Sequence, residues 1–103
     1  MDPYQTLAAI LISICPPESD QIRLNADVDE GWAQLDLRCR KGQEPEHRAE
    51  LEGLATHRIY ENLALIRTAL AAKGGEKFSS CVFTIQDGRF DLQVAYGTRP
   101  DPA

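Results

Sequence analysis

Residues 81–96 read CVFTIQDGRFDLQVAY, and this stretch decides the fold. Asp87-Gly88 is a type I′ turn dipeptide, in which glycine adopts positive φ at little steric cost. With those two residues as the loop, Ile85 lies opposite Phe90, Phe83 opposite Leu92 and Cys81 opposite Val94. One face of the hairpin is then wholly apolar, while the other pairs Thr84 with Asp91 and Val82 with Gln93. A slip of one residue would set the apolar positions against the polar ones, so turn chemistry and pattern specify the same register.

A second hairpin is legible upstream. Ile22, Leu24, Ala26 and Val28 alternate with Arg23, Asn25 and Asp27, and Ala33, Leu35, Leu37 and Cys39 alternate with Gln34, Asp36 and Arg38. A turn at Glu30-Gly31 sets Val28 opposite Ala33 and Leu24 opposite Leu37, again leaving one dry face. Before it, Asp2-Pro3 opens a helix with a capping carboxylate and a proline whose missing N–H costs nothing there. Leu7, Ile10, Leu11 and Ile14 carry its apolar stripe, and Pro16-Pro17 stops it. Arg40 to Glu46 is polar and contains Gly42 and Pro45, which predicts a loop. From about Pro45 to Lys73, apolar residues at Leu51, Ala55, Ile59, Leu63, Ile66 and Leu70 predict a long amphipathic helix with Gly53 fraying its first turns. Gly74-Gly75 ends that helix.

The expected architecture is therefore α+β: a two-layer sandwich in the order α-β-β-α-β-β, with a four-stranded antiparallel sheet and two helices on one face. The helix-facing side of the second hairpin, including Phe83, Ile85, Phe90, Leu92 and Val94, is expected to pack against Leu63, Ile66 and Leu70. Residues 1–97 form the single domain and 98–103 a mobile tail. At 103 residues, 43% hydrophobic and 26% charged, the chain suffices for one core without metal or disulfide. The longest apolar run, Leu7 to Cys15, is too short to span a bilayer and lacks the flanks of a cleaved signal, which predicts a cytoplasmic protein and no membrane partner. Cys15, Cys39 and Cys81 form an odd set without CxxC spacing, each at an apolar position, and are read as three reduced, buried residues.

Catalytic chemistry is thin. His47 and His57 stand ten positions apart and make no i, i+4 ligand pair, and Gly74-Gly75 lacks a phosphate-loop signature. No nucleophile is placed beside a base, so neither an enzyme nor a cofactor or metal site is expected. A net charge of −5 opposes nucleic-acid binding and favours basic protein partners. The feature suited to gripping a protein is the first hairpin's tip, where Trp32 leaves the dry face beside Asp27, Asp29 and Glu30. A tryptophan there is either an interface anchor or a plug folded over the sheet edge. The acidic residues Glu46 and Glu50 form a secondary candidate surface.

The segment Leu70–Tyr96, LAAKGGEKFSSCVFTIQDGRFDLQVAY, resembles the C-terminal half of the YezG-like immunity protein family. Phe78 stands where that family has a tryptophan, Ser80 near its threonine, and Gly88-Arg89-Phe90 at its Gly-Lys-Phe turn. The resemblance implies a bacterial antidote that binds a cognate toxin or effector and occludes its active or substrate-binding surface. An effector adaptor or secretion chaperone that binds without neutralising is the competing expectation.

Overall fold

The computed structural model describes residues 2–29, 31–74 and 76–96. The tail expected at 98–103 lies outside them. Helix α1 (Pro3–Ile14) leads into β1 (Gln21–Asp29) and β2 (Trp32–Arg40); a short β3 (His47–Ala49) precedes α2 (Gly53–Gly74), and β4 (Phe78–Gln86) and β5 (Arg89–Tyr96) complete the chain. All strand pairs are antiparallel, in the spatial order β3-β2-β1-β4-β5. The fold is thus α+β, with two helices and one five-stranded sheet among the described residues.

Both hairpin registers are those the sequence specifies: Val28 pairs with Ala33, Leu24 with Leu37, Ile85 with Phe90 and Phe83 with Leu92. Asp87 and Gly88 both have positive φ, +54° and +73°, as a type I′ turn requires. The two hairpins join through β1 and β4, with Leu24 opposite Phe83 and Ile22 opposite Ile85. The dry faces therefore fuse into one surface, and Leu7, Leu11, Ile59, Leu63 and Ile66 from the helices close over it. At the entrance to α1 the Asp2 carboxylate accepts the Tyr4 N–H at 2.7 Å. Two turns before the end of α2, Arg67 Nε donates to the Phe78 carbonyl at 2.7 Å and ties the helix to β4.

Three expectations are corrected. The sheet has five strands, not four, because residues 47–49 pair with β2 (Leu37 with Ala49, Cys39 with His47) instead of starting the helix. Helix α2 begins at Gly53, so this glycine ends the connection and does not fray an interior turn. Leu51 packs against the core from the connecting segment, where its spacing to Ala55 and Ile59 imitates a helical stripe. Second, Cys15 and Cys39 are joined by a disulfide, with Cα atoms 6.0 Å apart; only Cys81 is a free, buried thiol. The bond ties the C-cap of α1 to the end of β2. Third, the helices do not cover β5 fully. Phe83 is buried, but Phe90 remains 44% exposed at the sheet margin, its ring stacked between Tyr4 (6.3 Å) and Phe83 (5.6 Å).

Candidate functional site

With both helices on one side, the opposite sheet face carries no helix, and strand parity places its residues. Trp32, Gln34, Asp36 and Arg38 of β2 share it with Arg23, Asn25, Asp27 and Asp29 of β1, and Ser80, Val82 and Thr84 of β4 and Asp91 and Gln93 of β5 continue it. Five ranks cross the strands. Asp29 lies opposite Trp32 at one end; then come Gln34, Asp27 and Ser80, next Asp36, Asn25, Val82 and Gln93, then Arg48, Arg38, Arg23, Thr84 and Asp91, and at the far end Arg40, Gln21, Gln86 and Arg89. The second and third ranks line a shallow groove of about 640 Å³.

The arginine rank sets three like charges directly opposite one another, which alone destabilises a sheet. Carboxylates answer it: Asp36 accepts a hydrogen bond from Arg38 at 3.0 Å and forms an ion pair with Arg48 at 3.3 Å, and Glu46 accepts from Arg23 at 2.6 Å. The face is consequently polarised, acidic and aromatic at the Trp32 end and arginine-rich at the other.

The acidic end is held in place. Gly31 turns the chain with φ +79°, and its N–H donates to the Tyr60 hydroxyl at 3.0 Å, which ties the β1–β2 turn to α2. Trp32, 48% exposed, follows this braced turn and lies opposite Asp29 in the strand register. Beneath the same corner, burial and the nearby Asp27 charge push the Cys81 thiol up to about 12.

Of the residues singled out from sequence, Asp27, Asp29 and Trp32 gather at one end of the open face, and Glu30 lies outside the described residues. Glu46 belongs to the arginine end, engaged by Arg23. Glu50 stands apart, lining a separate groove between α1 and the start of α2 with Ile10, Ile14 and Leu54. Sequence reasoning missed Tyr60 as a brace and Asp36 as the bridge between arginines. Asp36 had a signal, since strand parity puts it beside Arg38 on the polar side. Tyr60 had none, because its contact joins elements 29 residues apart. His57 lies 3.4 Å from Glu61 on α2, while His47 sits opposite Cys39 on β3, and among the described residues no group of three or more His, Cys, Asp or Glu side chains converges as metal ligands would. No helix among the described residues is long and apolar enough to cross a membrane. In comparisons with known proteins, no family model and no curated sequence matches the chain.

Proposed function

We propose that the protein is an antidote of the YezG-like kind, binding a basic toxin or effector domain through the open sheet face and silencing it by occlusion. One observation carries this reading: a half-exposed tryptophan on a braced turn, with Asp29 directly across from it and Asp27 in the next rank, on a sheet face that no helix covers. A large, rigid aromatic surface supplies apolar burial at low entropic cost, and flanking carboxylates attract a cationic partner over distance. The groove beside it is lined by Asn25, Gln34 and Gln93, groups suited to hydrogen bonding along a protein surface.

The cysteines bear on where this happens. Residence in the cytoplasm, expected from the sequence, would leave Cys15 and Cys39 as thiols, whereas the bond between them favours a compartment in which thiols are not kept reduced. The antidote would then meet its toxin outside the cytoplasm. The test is coexpression with toxins encoded beside its gene, with both proteins directed to the same compartment. Growth rescue that is lost with Trp32→Ala supports the reading. Raised effector abundance with undiminished toxicity would make the protein an adaptor or chaperone instead.

A further inference from the structure

The two edges of the sheet differ in kind. Edge strand β3 has only three residues, includes His47 and Arg48, and follows Pro45, features that discourage pairing with another chain. Edge strand β5 has eight residues and no proline, and its charged residues, Arg89 and Asp91, lie in its first half. Its outward hydrogen-bonding groups follow from the turn. Gln86 and Arg89 flank the two-residue loop as a hydrogen-bonded pair, so alternate positions Arg89, Asp91 and Gln93 direct their N–H and C=O toward β4, and Phe90, Leu92, Val94 and Tyr96 direct theirs away from the sheet. The Ala95 carbonyl accepts the Ser79 hydroxyl of β4 at 3.4 Å, in keeping with this alternation. Along the same edge Phe90 and Tyr96 are 44% and 48% exposed.

We infer that a second copy of this chain pairs antiparallel with β5, giving a continuous ten-stranded sheet about a two-fold axis at Gln93. The strand's own sequence selects that register. An axis at Asp91 would set two aspartates face to face, and an axis at Leu92 would leave Tyr96 opposite Gly88 in the turn. With the axis at Gln93, Phe90 meets Tyr96, Leu92 meets Val94 and Asp91 meets Ala95. All four outward-facing positions are then hydrogen-bonded, each exposed aromatic covers its counterpart, and no like charges oppose. This parity also keeps the helices of both copies on one side, so the groove lined by Gln93 and Ala95 runs across the seam from one open face to the other.

A seam of one strand per copy falls at the small end of specific interfaces, and two chains of net charge −5 repel, so dissociation constants on the order of tens of micromolar are expected, tightening as salt screens the repulsion. The experiment is sedimentation velocity at concentrations from about 5 to 500 μM, bracketing that range. Gln93 is exposed, so substitutions there leave the monomer's packing intact, which circular dichroism verifies. Gln93→Glu and Gln93→Lys each set like charges across the axis and should weaken self-association at least about tenfold, whereas an equimolar mixture of the two should restore dimer. A chain that stays monomeric at the highest concentration in high salt overturns the proposal. So does a dimer indifferent to both charges, whose seam would lie elsewhere.

Discussion

Removing the cross-link between Cys15 and Cys39 should lower stability substantially without touching a large side chain. The bond joins residues 24 apart in sequence. Closing a loop of that length in the unfolded chain removes entropy worth about 3.5 kcal/mol at 25 °C. For a domain whose whole stability is about 5–15 kcal/mol, that is a major fraction, and for this chain length it corresponds to a fall in Tm of roughly 15–25 °C. Both sulfurs sit in the core, so the double substitution Cys15→Ala, Cys39→Ala also loses some packing. Reduction of the unaltered protein separates the two effects. Thermal melts by circular dichroism, with and without a strong reductant, should show a large downward shift for the natural chain and none for the double-alanine variant. A reductant-induced shift below about 5 °C would refute the reasoning, because the loop-closure contribution would then be absent.

Other consequences are equally open to measurement. Phe83, fully buried between sheet and helices, should cost about 3–5 kcal/mol when cut to alanine, read from denaturant midpoints; an unchanged midpoint would contradict its place in the core. The Cys81 thiol has its pKa raised in the fold from 9.0 to about 12, so its stabilising contribution is complete below pH 9 and is lost as the pH climbs through about 12. Stability measured across that window should fall, and alkylation of Cys81 at pH 8 should proceed no faster than the protein opens. Tyr60→Phe removes the acceptor of the Gly31 N–H and should cost about 0.5–1.5 kcal/mol while speeding amide exchange at that turn.

The parts of the fold legible in the sequence were those fixed by local chemistry. Asp87-Gly88 with its flanking alternation specified a register that needed no tertiary information, and the parity that put Trp32 on the polar side followed from the same logic in the first hairpin. Strand β3 was hidden because it is three residues long with one inward apolar residue, Ala49, too little for any alternation to show, while Leu51 happened to fall in phase with α2. The disulfide was hidden differently. Neither cysteine has a local signature, and although the first hairpin's register places Cys39 opposite Ile22, seven residues after Cys15, a connection of that length fixes no distance between the two sulfurs. Exposure of β5 was not implicit, since it depends on where two helices settle across five strands. The same holds for the site: its acidic tip was visible as sequence, but its bracing by Tyr60 and the carboxylate-bridged arginine rank exist only once distant elements meet.

Binding to a toxin encoded beside the gene, measured by surface plasmon resonance over a range of salt, tests the proposed interface most directly. Trp32→Ala should weaken binding by at least about 2 kcal/mol, roughly thirtyfold in Kd, chiefly through faster dissociation. Reversing Asp29 and Glu30 to lysine should slow association and flatten its salt dependence. Both variants should melt close to the natural protein, because the turn contributes little to the core. Unaltered affinity in both would contradict a binding surface at the Trp32 end of the open face.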